Sequence, residues 1–247
     1  MRRYTTFFAI AAILAAISAS VYLIHYAIFH DAHHIFIYMI GDLGFLPLEV
    51  FFVVLVMERI LASREKSAIL NKLNMVVGAF YSEVGMDLLG KLMPVFEEGQ
   101  KVHRQFAIGQ DWKRQDFKKA HALVAAIEHS PDVTRIDLDG LRSFLIEKRP
   151  FMLALLENPN LLEHDRFTDL MWATFHFIEE LEARRTLEGL PKSDLAHLNV
   201  DVKRLYGHLV AEWLDYAQHT QSNYPFLFSL MVRTNPFREN PSAVVTA

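Results

Sequence analysis

Pairs of histidine and carboxylate residues are the side chains of this sequence whose spacing suits chemistry. Residues three or four positions apart share one face of an α-helix, which is how a helical bundle presents ligands to a bound metal. Four segments contain such pairs: His176 with Glu179 and Glu180, His197 with Asp201, His208 with Glu212, and Asp215 with His219. A further group, in which His164 stands between Glu163 and Asp165, lies at the expected start of a helix.

From these pairs we select one set of candidate ligands for a divalent metal: Glu163, His164, His176 and Glu180. The alternative is that all of the pairs lie on solvated helix faces, where such spacing is common. The sequence contains no Glu-x-x-His, the motif that di-iron carboxylate bundles use twice. It also contains no His-Glu-x-x-His, so the helical zinc site of metalloproteases is excluded.

Several function classes are excluded by residues that the sequence lacks. The 247 residues include no Cys, which rules out disulfides, thiolate zinc sites, Cys-ligated iron–sulfur clusters and a Cys nucleophile. Gly-rich phosphate-binding loops, Gly-x-Ser-x-Gly and the protein-kinase motifs are also missing. We therefore predict no catalytic residues and no cofactor except a divalent metal, and we favour a function that is not enzymatic.

The elements that carry these residues fall into two parts, because charge is unevenly distributed. Only five of the 54 charged residues lie in the first 57 positions. Two apolar runs in this part, at about 5–27 and 35–60, are long enough to cross a bilayer, and a His-rich turn at 30–34 joins them. We predict a transmembrane hairpin over residues 1–62. The alternative for the first run is a signal peptide cleaved near residue 20.

The basic residues around the two runs predict their orientation. Arg2 and Arg3 precede the first run, Arg59 and Arg64 lie at the end of the second run and just beyond it, and the turn has no Lys or Arg. By the positive-inside rule, both termini lie in the cytoplasm and the turn faces outward. We therefore predict a protein of the prokaryotic inner membrane.

The second run contains three helix-breaking residues and two acids. Gly41, Gly44 and Pro47 predict an interruption of the helix, with the main span beginning at Pro47. Asp42 and Glu49 lie seven positions apart, or about two helical turns. A carboxylate in hydrocarbon is costly unless it is paired or faces a polar interior.

These two acids lead to the principal functional hypothesis. In a homo-oligomer, Asp42 and Glu49 would form rings of carboxylates around a cation path lined by the second span. The cytoplasmic helices would then assemble or gate the path. The alternative is a membrane-anchored scaffold or sensor that binds a protein partner, in which both acids are structural. A third hypothesis is a membrane-anchored helical bundle that binds a metal.

The turn between the two apolar runs offers a second candidate metal site. His30, His33 and His34 lie within five residues, beside Asp31. Three imidazoles on one turn can converge on a divalent ion. The alternative is that these histidines simply occupy the membrane interface.

Beyond residue 63 the apolar residues recur at three- and four-residue spacing, which predicts helices. The second span is expected to continue as a helix toward Pro94, and further helices are predicted over 111–129, 138–157, 162–187, 194–221 and 225–232. No alternating run is long enough for a sheet. The predicted fold class is all-α, with a cytoplasmic helical bundle over 63–234 and a polar tail over 235–247.

A basic segment is the remaining candidate site. We predict that its cations lie against anionic lipids of the inner leaflet: Lys101, Arg104, Lys113, Arg114, Lys118 and Lys119. The alternative is an ordinary solvated helix face. A net charge of −4 argues against nucleic acid as a partner.

Several longer segments resemble a known family. They are NPNLLEHDRFTDL from residue 158, FHFIEEL from 175, YPFLFSL from 224, RTNPF from 233 and LNMVVGAFYSEVG from 73. Together with the hairpin they resemble an uncharacterised family of prokaryotic two-span inner-membrane proteins. The resemblance covers most of the chain. It implies the architecture alone, because no activity and no functional residue come with it.

Overall fold

Helices make up the architecture of the protein, and the described residues include no β-strand, which confirms the predicted all-α class. The computed structural model describes residues 2–96, 104–126, 131–158, 161 and 164–245. The α-helices are α1 (Arg2–Phe29), α2 (Ala32–Phe80), α3 (Met86–Leu92), α4 (Arg114–Ala125), α5 (Leu138–Leu156), α6 (Asp165–Glu182), α7 (Lys192–Asn223) and α8 (Pro225–Thr234). A π-helix, Tyr81–Gly85, lies between α2 and α3, and short 3₁₀-helices cover Met93–Val95, Arg104–Phe106 and Val133–Arg135.

The chain forms two compact units, Met1–Glu65 and Lys66–Ala247. In the first unit, Phe8–Phe29 and Ala32–Arg64 are helical stretches with a mean hydropathy of 2.1, long and apolar enough to cross a membrane. In each stretch, no residue of the most apolar part is buried within the protein. The core helix of a soluble domain would instead be mostly buried. Two such helices near the N-terminus are compatible with membrane anchoring.

The predicted interruption of the second apolar run is wrong. Gly41, Gly44 and Pro47 all lie inside α2, which is helical from Ala32 to Phe80. Pro47 has no backbone donor, but the residues on both sides of it are helical. Apolar helices that face lipid tolerate Gly and Pro in this way, because any other backbone conformation would leave more polar groups unsatisfied.

Helix α7 is the central helix of the second unit. It contacts α3, α4, α6 and α8. Its buried face includes residues that recur at three- and four-residue spacing: Leu198, Val202, Leu205, Leu209, Trp213 and Ala217. Helix α7 is therefore the element against which all four of these helices pack.

Helices α6 and α7 are antiparallel neighbours. The segment between them contains Gly189, whose φ of 67° lies in the left-handed region that glycine adopts without strain. Arg184, just after α6, binds Asp194 near the start of α7 with two hydrogen bonds of 2.9 and 2.7 Å. This turn sets the register in which α6 and α7 face each other.

Candidate metal centre

Four side chains from α6 and α7 meet on the surface of the second unit. His176 and Glu180 lie four residues apart on α6, and His197 and Asp201 lie four residues apart on α7. Each pair occupies one helix face. Because the two helices are antiparallel, the pairs face each other.

The four side chains form a closed ring in which imidazoles and carboxylates alternate. His176 Nε2 lies 3.9 Å from Glu180 Oε1 and 3.5 Å from Asp201 Oδ1. His197 Nε2 lies 3.4 Å from Glu180 Oε2 and 3.5 Å from Asp201 Oδ2. Each carboxylate therefore directs one oxygen at each imidazole.

Asp201 is the buried member of the ring, with only 2% of its side chain exposed. Its Oδ1 accepts a hydrogen bond of 3.0 Å from Arg204. Its Oδ2 is buried and has no hydrogen-bond partner among the described residues. A buried carboxylate oxygen without a hydrogen bond is costly, and a cation beside it, either protonated His197 at 3.5 Å or a bound metal ion, would compensate its charge.

Arg184 holds Glu180 in place. Its guanidinium donates a 2.8 Å hydrogen bond to Glu180 Oε2 while also binding Asp194. The hydrogen bond from Arg184, together with a smaller contribution from His197, lowers the pKa of Glu180. Hydrogen bonding to Arg184 likewise lowers the pKa of Asp194. Glu180 therefore remains an anion and is available as a ligand.

The spacing of three of the four ring members suits a metal ion, and His197 borders them through Glu180 and Asp201. Suitable ligand atoms of His176, Glu180 and Asp201 all lie within 4.8 Å of one another. Two ligands of a tetrahedral Zn²⁺, each about 2.0 Å from the ion, are about 3.3 Å apart. The imidazole–carboxylate distances in the ring are only slightly longer. His176 and His197 are both exposed, so an ion could enter from solvent.

His164 belongs to a different and more buried cluster. Its Nδ1 accepts a 3.3 Å hydrogen bond from the backbone of Phe167, which caps the N-terminus of α6. Its Nε2 lies 3.5 Å from Oε1 of Glu212, which is 1% exposed. Burial lowers the pKa of His164 and raises the pKa of Glu212 to about 8. Neither carboxylate oxygen of Glu212 has a hydrogen-bond partner among the described side chains.

Asp215 completes this second cluster. His121 Nε2 lies 2.8 Å from Asp215 Oδ1, and Arg166 pairs with Oδ2. Burial alone would raise the pKa of Asp215, but the hydrogen bond and charge of His121 and the charge of Arg166 lower it. Asp215 is thus a paired anion, whereas the neighbouring Glu212 favours its neutral form.

The structure therefore divides the predicted ligand set. His176 and Glu180 lie in the ring. His164 lies about three helical turns before His176 and contacts Glu212 of α7 instead. Glu163 lies outside the described residues. The ring instead takes His197 and Asp201 from α7. Their i,i+4 spacing was visible in the sequence, but nothing local indicated which of several such pairs they would face.

The predicted sites in the hairpin are dispersed. His30 lies between α1 and α2 with a φ of 53°, and its ring packs on Tyr26. The ring of His34 stacks on His25 with centroids 6.3 Å apart. His33 lies in the first turn of α2, and within the described part of the chain the three predicted histidines do not form a compact ligand set like that of α6 and α7. Asp42 and Glu49 both lie on α2 and are exposed.

The predicted basic segment is partly described. Lys113, Arg114, Lys118 and Lys119 lie at the start of α4 or within it, and all four are exposed. Arg104 pairs with Glu239 near the C-terminus, and Lys101 lies outside the described residues.

The fold defines a class of protein: an all-helical chain in which two apolar N-terminal helices precede a helical domain. The N-terminal helical domain of MJ1433 matches residues 2–61, and the C-terminal helical domain of "Uncharacterized protein MJ1433" matches residues 69–233. The chain is 41% identical over 244 residues to the protein of that name from Methanocaldococcus jannaschii, covering 99% of this chain and 97% of that protein. The chain belongs to the MJ1433 family, and no solved structure matches it.

Proposed function

We propose that this is a membrane-anchored protein whose helical domain binds one divalent transition-metal ion. The ligands are His176 and Glu180 from α6 and His197 and Asp201 from α7. The observation that carries the proposal is Asp201 Oδ2, a buried carboxylate oxygen without a hydrogen-bond partner in the described structure, 3.5 Å from His197. A bound cation would satisfy this oxygen.

The donor atoms favour a particular class of metal. Two imidazole nitrogens and two carboxylate oxygens suit Zn²⁺, Fe²⁺ or Mn²⁺ better than Ca²⁺ or Mg²⁺, which prefer oxygen ligands alone. Arg184 and Arg204 act as supporting residues, because each orients one of the liganding carboxylates.

Metal titration of the full-length protein tests this function. We expect chelator-treated protein in detergent to bind about one Zn²⁺ per chain by isothermal titration calorimetry. His176→Ala, His197→Ala and Asp201→Asn should each weaken binding at least about tenfold, because each removes one ligand. Binding should also weaken as the pH is lowered, because protons compete with the metal for the imidazoles.

Two control variants separate this site from other histidines. His208→Ala lies on α7 outside the ring, and His33→Ala lies at the hairpin turn; both should bind Zn²⁺ like the wild type. Absence of stoichiometric binding in the wild type contradicts the proposal. Loss of binding in His33→Ala but not in His197→Ala would place the metal at the turn instead.

A cation path through the membrane is the second candidate function, and continuity of α2 is the observation that favours it. On an unbroken helix, Asp42 and Glu49 differ by only about 20° around the axis, so they share one face. Both are exposed in the single chain, and the neighbouring copies of a homo-oligomer would surround them with polar groups.

Cation flux into proteoliposomes tests the second function. We expect flux in the wild type and a several-fold loss in Asp42→Asn/Glu49→Gln, because the rings would lose their charge. His176→Ala should leave the flux unchanged, which separates the two functions. No flux from folded wild-type protein contradicts the path, and flux that survives the double substitution contradicts the choice of these acids.

A further inference from the structure

One end of the second unit combines exposed apolar and basic side chains. This end is defined by the last turn of α7, near Gln221. Gln221 Nε2 donates a 2.8 Å hydrogen bond to the carbonyl of Trp112, just before α4. His121, further along α4, contacts Asp215, which lies earlier in α7. Helix α4 therefore runs antiparallel to α7 and begins at its C-terminal end.

The first turns of α4 bring exposed cations to this end. Lys113, Arg114 and Lys118 project into solvent, while Phe117 is buried. Asp116 is occupied at the helix start, where its carboxylate accepts a 2.9 Å hydrogen bond from the backbone of Lys113. Positive charge consequently dominates the exposed side of these turns.

Helix α8 brings exposed apolar side chains to the same end, because it begins immediately after α7. Phe226 is 72% exposed, Leu227 is 41% exposed and Leu230 is 42% exposed. On the opposite side of α8, Phe228 and Val232 are buried. The apolar side chains on the outer side of α8 have no covering element among the described residues.

The chain also enters the second unit at this end. Tyr81 donates a hydrogen bond to the carbonyl of Leu209, whereas Gly78, earlier in α2, lies against Tyr216, later in α7. Helix α2 is thus antiparallel to α7, and Leu73 lies nearer to the C-terminal end of α7. Only eight residues, 65–72, separate Leu73 from Arg64, the last residue of the second candidate span.

We propose that this end of the domain lies on an anionic bilayer surface, with Phe226, Leu227 and Leu230 in the headgroup zone and Lys113, Arg114 and Lys118 against lipid phosphates. The inference rests on the proposed membrane anchoring and deepens it. Apolar side chains beside cations are typical of helices that lie in a membrane interface. The segment of α2 between the candidate span and this end is short enough for this end to reach the bilayer.

Site-specific labelling tests this surface. Because the chain contains no Cys, a label attaches only at an introduced cysteine. The full-length chain is placed, one copy per nanodisc, in phosphatidylcholine with or without phosphatidylglycerol, and labelled with a fluorophore at one introduced cysteine. Doxyl-labelled lipid should quench the label at Phe226→Cys at least about twofold more than at Val200→Cys. Val200 is a matched control, because it is also exposed but lies on α7, about 36 Å along that helix from Tyr224.

Charge variants test the choice of lipid. Arg114→Glu/Lys118→Glu should reduce quenching at position 226 to the level at position 200, whereas Lys192→Glu/Lys203→Glu, elsewhere on the exposed surface, should not. Equal quenching at positions 226 and 200 overturns the proposal. Equal quenching at position 226 with and without phosphatidylglycerol overturns the proposal that the surface is anionic.

Three further outcomes are distinguishable. Val54→Cys, within the candidate span, reports membrane insertion itself. If its label is not quenched, the anchoring has failed; if it is quenched and the label at position 226 is not, only the docking has failed. A label at position 226 that is quenched in single-copy discs but shielded in crowded proteoliposomes would show that a second copy covers this face, which also overturns the proposal.

Discussion

Glu212 is the single residue whose ionisation should most change the stability of the domain. Its carboxyl is buried in α7 beside His164, Asp215, Arg166 and Tyr81. Burial raises its pKa to about 8, from 4.5 in an unperturbed chain. The folded state therefore holds the proton more tightly than the unfolded state.

The sign of the pH dependence follows from this shift. The stability associated with neutral Glu212 is fully present below about pH 4.5 and is lost as the pH rises through about 8. The loss approaches about 1.4 kcal/mol per pH unit within that range. We expect the thermal midpoint of metal-free protein to fall between pH 6 and 8.5, and Glu212→Gln to remove most of this fall.

The control for this measurement is Glu179→Gln, which changes an exposed carboxyl on α6. It should leave the pH dependence as in the wild type. Thermal unfolding followed by tryptophan fluorescence is a suitable readout, because Trp213 is buried next to Glu212 in α7. The same slope in Glu212→Gln and the wild type would contradict the assignment.

At the scale of the element, the π-helix Tyr81–Gly85 depends on one glycine. A Cβ at Gly85 would lie 2.5 Å from Tyr81 Cδ1 and 3.0 Å from Phe80 Cε1. Both rings are buried and cannot move aside. Gly85→Ala should therefore destabilise the domain by about 1–3 kcal/mol, although alanine is the better helix former.

Gly90→Ala is the matched substitution in the neighbouring helix. A Cβ at Gly90 meets no atom within 4 Å, so the change should stabilise α3 by up to about 1 kcal/mol. Thermal or denaturant unfolding of both variants measures the difference. Equal effects of the two substitutions would contradict the close packing of Tyr81 on Gly85.

The helices themselves could largely be predicted from sequence. The predicted helix over 138–157 is α5, Leu138–Leu156, and the predicted helix over 194–221 is α7, Lys192–Asn223. Apolar periodicity is a local property, so a single sequence reveals it. The continuity of α2 through Pro47 could not be predicted in this way. The usual rule that Gly and Pro end helices applies in water, where the backbone groups that they free can hydrogen-bond to solvent. In apolar surroundings a non-helical backbone would leave those groups unsatisfied, so the helix continues.

The candidate site was only half predictable, for a reason that concerns two elements together. The spacing of His176 and Glu180 identifies one helix face. Their facing partners depend on the antiparallel register of α6 and α7, which the turn around Gly189 and the Arg184–Asp194 pair set. Nothing in the spacing within one helix encodes that register.

At the scale of the whole molecule, metal binding should stabilise the second unit, because the ligands come from both α6 and α7. A hundredfold excess of free Zn²⁺ over its dissociation constant adds about 2.7 kcal/mol to the free energy of unfolding. For a domain of this size the thermal midpoint should rise by roughly 5–10 °C. Asp201→Asn should abolish most of the rise, and His208→Ala should retain it; a rise that survives Asp201→Asn would contradict the site.

The two proposed sites lie in different units of the chain. The family match extends over both units, with helical domains at residues 2–61 and 69–233. The proposed metal ligands lie entirely in the second match, and the acids of the proposed cation path lie in the first. The two proposed functions can therefore be tested separately in one full-length protein.

X-ray absorption at the zinc edge, on full-length protein loaded with one Zn²⁺ per chain, shows which side chains bind the metal. We expect a first shell of nitrogen and oxygen at about 2.0–2.1 Å, with the outer-shell signature of two imidazoles. His197→Ala should reduce that signature to one imidazole. A zinc shell with fewer than two imidazoles in the wild type, or one that His197→Ala leaves unchanged, would contradict metal binding by both α6 and α7.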